Sequence, residues 1–277
     1  MKKTDISLKK LENGFEYLEI TNKSASAKIA LQGGHLFSFK RDTELLWVSE
    51  KSRFEEGVAI RGGIPICWPQ FGLVKDSKLK QHGYARTSIW ELIQSEEKEN
   101  LTIVTLKLKT SKHKDFDFNC EVMVTFYIGE ELIIELKTKN LDTKEMKITQ
   151  ALHTYFDISD ISNISISGLQ NKPYLDALDT KIKKQDGEVT IDTEVDRVYQ
   201  EVDSDIVLQD IHKKTTIKNT NSSSVIVWNP WVNKCHNMAD MKDDGYKKFI
   251  CIESANAIDD FITLQTGEIH TLITKII

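Results

Sequence analysis

The residues best suited to chemistry gather first in Arg61 to Gly72 (RGGIPICWPQFG) and Gln81 to Arg86 (QHGYAR). Positions 61–86, 26 residues, carry two arginines, one histidine, four glycines, a tryptophan and two of the chain's four prolines. Glycine and proline at that density set a backbone that is neither helix nor ordinary strand. Arginine supplies a planar fork of donors matched to phosphate or carboxylate. Trp68 offers a flat apolar face. Such a loop suits a small, anionic, ring-shaped ligand.

Two further residues stand out by context. His153, in QALHTYF (150–156), closes an alternating stretch; a histidine at a strand end can project into a pocket and move protons near neutral pH. In isolation, though, such a histidine is more often packed against backbone. Glu253 follows four apolar residues in FICIESAN (249–256). Glutamate is rarely buried without a partner, and desolvation would raise its pKa and make it a better base. The competing reading is a strand-end carboxylate in water. Asp196, in DRVY (196–199), shares its neighbourhood with Asp192, Glu194 and Glu201, and composition alone favours a solvated face there. Trp228 and Trp231 add aromatic surface, more often core than ligand contact.

Other chemistries fail on spacing. Cys235 and His236 are adjacent but lack a second pair, and no His-Glu-x-x-His occurs. The stretch from Asp240 to Gly245 puts Lys242 third and Cys251 twelfth, where a calcium loop needs acids. Gly33-Gly34 lacks the following Lys-Ser/Thr of a phosphate loop, and a serine-nucleophile elbow is missing.

Bulk properties narrow the field. A 277-residue chain with 40% hydrophobic and 29% charged residues can bury a large core without covalent staples. Its net charge of -5 leaves no overall basic excess for nucleic acid. The four cysteines are far apart and form no C-x-x-C pair, which suits reduced thiols. Neither an export signal nor a membrane-length apolar run is seen, so a cytoplasmic location is expected.

The elements that must hold these residues read as strands. Phe15 to Ile20, Ala25 to Leu31, Leu36 to Phe39, Leu101 to Lys109, Glu121 to Ile128, Leu132 to Lys139 and Lys147 to Phe156 are rich in Ile, Val, Thr and aromatics. Ile164 to Ile166, Glu188 to Ile191, Ile206 to Leu208, Thr215 to Lys218, Val225 to Trp228, Phe249 to Ile252 and Ile269 to Ile276 continue the pattern. Residues 129–131 (GEE) read as a hairpin connection. Short helical pieces are expected around Lys172 to Leu178 and Asn237 to Met241. With no linker and no repeat, one all-β domain over residues 1–277 is expected, a large sandwich or barrel.

In this order, the pieces resemble the glucose-6-phosphate 1-epimerases, hexose-6-phosphate mutarotases of the aldose 1-epimerase superfamily. The resemblance rests on QGGHL (32–36), the Arg61 to Gly72 block, HGYAR (82–86), LHTYF (152–156), DRVY (196–199), WNPW (228–231) and Glu253. It implies a large antiparallel β-supersandwich of the galactose-mutarotase type, with neither metal nor organic cofactor. It also implies His153 as general acid, Glu253 as general base, and Arg61, His82 and Asp196 as sugar-binding residues, with Arg61 and Arg86 facing the 6-phosphate. The expected enzyme is a monomeric isomerase acting on a small sugar phosphate, with no nucleic-acid or membrane partner.

Anomerisation removes a proton from the C1 hydroxyl while one is delivered to the ring oxygen, so an acid and a base must act together. On this expectation Glu253 takes the hydroxyl proton and His153, as imidazolium, protonates the ring oxygen from the other side of the C1–O5 region. Closure reverses the roles. The alternatives are an epimerase for unphosphorylated aldoses, disfavoured by two arginines on one loop, and a non-catalytic carbohydrate-binding protein. A glycoside-processing enzyme would need two carboxylates at a set separation and ranks last.

Overall fold

The computed structural model describes residues 5–75, 77–211 and 213–277. Alternation of apolar and polar residues at period two builds two eight-stranded antiparallel sheets. The first, the site sheet, runs in the order Lys181–Lys184, Pro173–Asp176, Val195–Tyr199, Ser224–Asn229, Phe249–Asn256, Gln150–Leu152, Ile66–Cys67, with Tyr155–Asp157 also pairing to Phe249–Asn256. The second runs Ser165–Ser167, Ile206–Gln209, Lys214–Thr220, Ile269–Ile276, Leu132–Asn140, Cys120–Ile128, Thr102–Leu108, Trp90–Glu97. A four-stranded sheet from Asp5–Lys10 to His35–Lys40 and the pair Met146–Ile148 with Ile262–Leu264 complete the architecture. This is the large antiparallel supersandwich that the resemblance implied.

The main core lies between the two large sheets. The second sheet gives it Val104, Leu106, Val122, Val124, Phe126, Ile134 and Leu136, one face of strands whose alternate residues are half-buried. Facing them from the site sheet are Leu152, Phe156, Val225, Val227, Ile250 and Ile252. The site sheet is buried on its other face as well. There Cys67, Ala151, Tyr155, Ile226, Trp228, Phe249 and Cys251 form a second cluster beneath the short helix Trp231–His236. Phe249–Asn256, covered on both faces, has no exposed residue. That double covering forces Glu253 inward.

Several expectations change. Lys172 to Leu178 is not helical: Pro173–Asp176 is a strand, held between Lys181–Lys184 and Val195–Tyr199. The helix near the second expected piece is Trp231–His236, ahead of Asn237. Lys147 to Phe156 is three short strands rather than one, because the chain leaves the Ile262–Leu264 pairing at Thr149 and joins the site sheet at Gln150. Glu188 to Ile191 forms no strand, although Val189 bridges to Ile166. Trp68 is not a ligand platform; it is fully buried in the main core, its indole N–H donating to Thr138 Oγ1 at 3.1 Å. The hairpin at 129–131 is present, with Ile128 opposite Leu132. Among the described residues no helix is long and apolar enough to cross a membrane.

Gly83 fixes the loop that carries His82. Its φ is +69°, and a Cβ there would lie 2.1 Å from the carbonyl oxygen of Trp68. Gly83→Ala is therefore expected to cost more than the ~1–3 kcal/mol of a strained backbone alone, because the neighbour is core backbone that cannot yield. Gly14→Ala, at φ +84° with nothing within 4 Å, pays only the backbone part. Urea midpoints of the two variants check the difference; equal losses would refute the steric account.

Candidate active site

Glu253 sits in mid-strand opposite Ile226, in phase with Cys251 and Ala255 on the face away from the main core. It is 1% exposed. His153 follows Gln150–Leu152, and its backbone N–H donates to Pro65 O at 3.0 Å, tying it to the Gly/Pro loop. Its ring lies parallel to that of Tyr155, centroids 4.9 Å apart, and meets Trp228 and His82 edge-on at 6.1 and 5.7 Å. Three aromatic neighbours leave the imidazole little freedom.

His153 Nδ1 and Glu253 Oε1 are 3.3 Å apart. No hydrogen bond forms across this contact, and Nδ1 and the other carboxylate oxygen, Oε2, are both buried without a hydrogen-bond partner. Unmet polar atoms in a dry site are costly, and here two sit together. The acid and base were expected on opposite sides of the C1–O5 region; they stand side by side. Adjacency suits the chemistry, since the hydroxyl and ring oxygens that exchange protons are both bonded to C1.

Burial sets the proton inventory. Desolvation drives His153 well below the usual imidazole range, with His82, Arg86 and Arg61 pushing the same way. Desolvation, then Asp196, drives Glu253 well above the carboxylate range, with Arg86 opposing. Both shifts favour the uncharged forms, neutral imidazole and carboxylic acid. Burial therefore works against the imidazolium expected from sequence.

The remaining candidates surround this pair unequally. Arg61, its side chain 27% exposed, donates from Nε to Asp240 Oδ2 at 3.0 Å and from Nη1 to the Tyr155 hydroxyl at 3.0 Å. Burial alone would lower its pKa, but Tyr155 and Asp240 together hold it above its ordinary value. His82, at φ +67°, accepts the Gly72 N–H on Nδ1 at 3.2 Å, which leaves the ring proton on Nε2. Burial, then Arg86 and Arg61, lowers it to about 3, so it serves as a neutral donor. Arg86 donates to Gln81 O at 2.9 Å, and among the described residues no carboxylate lies within ion-pair distance of it. Its charge reaches His35, His82, His153 and Glu253.

Asp196 lies on Val195–Tyr199 opposite Trp228, its side chain 30% exposed, with Lys234 Nζ at 3.9 Å. Burial raises its pKa, against the pull of Lys234. It is therefore at the rim of the site, not on a fully solvated face. Sequence reasoning missed Tyr155 and Asp240, which orient Arg61, and Cys251 beneath Glu253. Tyr155, two residues after His153 and in phase with it, was findable from alternation; Asp240, 179 positions from Arg61, was not.

Behind Arg61 stands His35, fully buried, its Nε2 bonded to Gly62 O at 2.8 Å. Burial lowers it to about 4 from 6.5, Arg86 adding to the effect and the Gly62 bond opposing. Between those values the unfolded chain takes a proton that the folded one refuses, so His35 makes stability fall as pH drops from 6.5 towards 4. Fully expressed, that gap is roughly 3 kcal/mol. His35→Gln is expected to lower stability at neutral pH yet to flatten this acid limb. Urea midpoints across the window test it, and an unchanged slope would refute it.

With this geometry in hand, comparison with known proteins places the chain. The aldose 1-epimerase family profile matches residues 16–276. A Salmonella typhimurium protein whose name, glucose-6-phosphate 1-epimerase, is itself provisional is 34% identical over 250 residues, 87% of this chain and 83% of that one. A Cenchrus ciliaris protein with the same provisional name is 35% identical over 279 residues, covering 94% and 84% of the respective chains. The crystal structure of a provisionally named mutarotase from Salmonella typhimurium superposes with a TM-score of 0.91 at 32% identity, over 98% of this chain and 92% of that one. A galactose mutarotase-like protein from Clostridium acetobutylicum, 14% identical, shares the fold at a TM-score of 0.79 over 100% and 99% of the chains. The fold is thus that of the galactose mutarotases. The chain belongs to the aldose 1-epimerase family, and so to the isomerases.

Proposed function

We propose that the protein is a hexose-6-phosphate mutarotase, interconverting the α and β anomers of glucose 6-phosphate or a similar aldohexose 6-phosphate. The observation that carries this reading is the buried contact of His153 with Glu253, two groups with unmet polar atoms near Arg86, which has no ion-pair partner among the described residues. Glu253 acts as general base on the C1 hydroxyl and His153 as general acid on the ring oxygen. His82 and Asp196 hold sugar hydroxyls, and Arg61 and Arg86 hold the phosphate.

The shared proton has to reach the imidazole for this assignment. A phosphate dianion between Arg61 and Arg86 offsets two of the charges that hold His153 neutral. Relief of the Arg61 charge acts on His153 alone and so favours passing the Glu253 proton to the imidazole, while relief of Arg86 raises the proton affinity of both groups. The carboxylate then abstracts the C1 hydroxyl proton as the imidazolium protonates the ring oxygen. The ring opens, the aldehyde rotates, and closure on the other face returns both protons.

One observation favours an epimerase for unphosphorylated aldoses: Arg61 already has Asp240 as a partner, so among the described residues the site offers one guanidinium without an ion pair where the sequence promised two. Exchange between anomers, followed by NMR magnetisation transfer or polarimetry, separates the readings. Faster exchange of glucose 6-phosphate than of glucose supports the phosphate assignment. Equal acceleration of both would overturn it. Spontaneous rates for both would leave a sugar-binding protein.

A further inference from the structure

The catalytic pair has a third neighbour with no part in the proton transfers. We propose that His153, Cys251 and Glu253 form a site for a thiophilic divalent cation, Zn²⁺ in the first place, and that an ion held there closes the sugar site. One ligand atom from each residue lies within 4.8 Å of the other two, and all three residues are buried. Cys251 and Glu253 are two apart on one strand and share a face, while His153 reaches the same point from the neighbouring chain segment. His153 Nδ1 and Glu253 Oε2 are both buried without a hydrogen-bond partner, and Nδ1 lies 3.3 Å from the other carboxylate oxygen, Oε1.

The dimensions suit zinc. Bonds of about 2.0–2.3 Å in a tetrahedral arrangement place donors within about 4 Å of one another. The 3.3 Å His153–Glu253 contact already meets this, and the thiol needs to close by on the order of 1 Å. A neutral imidazole, a thiolate and a carboxylate exactly balance a dication, as a dry site requires. Arg61 and Arg86 oppose a bare cation, and the two anionic ligands offset them. The thiol and carboxyl protons leave to solvent on binding. Three donors including sulfur and nitrogen exclude Mg²⁺ and Ca²⁺, which demand oxygen shells. An ion on these three donors would occupy the two groups that the sugar's C1 and ring oxygens need, which is why it closes the site.

The binding half of this proposal stands on the three side chains alone; the closing of the site also rests on the mutarotase reading. Metal-free protein is titrated with Cd²⁺, whose thiolate charge-transfer absorption reports a cysteine ligand, and with Zn²⁺ by equilibrium dialysis. One equivalent of either is expected. Cys251→Ala should abolish the cadmium band. Glu253→Gln, which keeps the thiol, should weaken binding by at least the roughly 10–100-fold typical of losing a group that merely orients a ligand. If Cys251→Ala fails to fold, Glu253→Gln decides.

Cys67→Ala and Cys235→Ala should leave the band intact. No stoichiometric uptake, full affinity in Glu253→Gln, or loss of the band in Cys67→Ala would each overturn the site. Zn²⁺ is expected to slow anomer exchange in competition with the sugar; exchange unaffected at saturating Zn²⁺ would overturn the closure. Uptake without any exchange activity at all would uphold the metal site and sink the mutarotase reading instead.

Discussion

Glu253→Gln is expected to lower turnover of the sugar phosphate by roughly 10²–10⁴, with little change in KM. The amide is isosteric but cannot take the C1 hydroxyl proton. His153→Asn should fall in the same range, and the double variant should lose scarcely more than the worse single one, because groups that act as a unit are not additive. Stability supplies an independent check. The Glu253 carboxyl is pushed up by burial, so folding keeps a proton that the unfolded chain loses above about 4.5. That group therefore costs stability progressively as pH rises from there through its folded value. Glu253→Gln removes the cost and should raise the melting temperature at neutral pH while destroying activity. An inactive and less stable variant would indicate damage to the strand; an active one would remove Glu253 from the mechanism.

Arg86→Ala should act on binding. Hydrogen bonds to charged groups contribute about 1.5–3 kcal/mol, so kcat/KM for glucose 6-phosphate should fall about 10–100-fold while that for glucose is unaltered. The loss should appear in KM. Arg61→Ala is less clean, since it strands the Asp240 carboxylate and frees the Tyr155 hydroxyl. If Arg86→Ala leaves the preference between the two sugars where it was, the phosphate is held elsewhere or is not recognised. Both outcomes read directly from initial rates of anomer exchange.

The legible part of the molecule was what alternation controls. Cys120–Ile128 and Leu132–Asn140 alternate without a fault, and their pairing across residues 129–131 follows from the short connection. Pro173–Asp176 and Val195–Tyr199 were hidden because they are short and polar, and owe their form to neighbours in the sheet. At the site, Glu253 was marked by following an apolar run, but burial and a solvent-facing strand end stayed equally open until the fold covered both faces of its strand. The contact with His153 could not be read from either residue. It follows from where Gln150–Leu152 joins Phe249–Asn256, a register that only the folded sheet defines. The direction of the pair's pKa shifts was also out of reach, since it depends on burial and on charges distant in sequence.

The Ile269–Ile276 strand occupies an interior position in the second sheet, between Lys214–Thr220 and Leu132–Asn140. Both flanking strands leave the ribosome before it and must wait with their hydrogen-bonding edges open. Until this strand is in place, the sheet packed behind the strand that carries Glu253 cannot close. While the two flanking strands wait for it, their open edges are where rogue edge-to-edge pairing with other chains is most damaging.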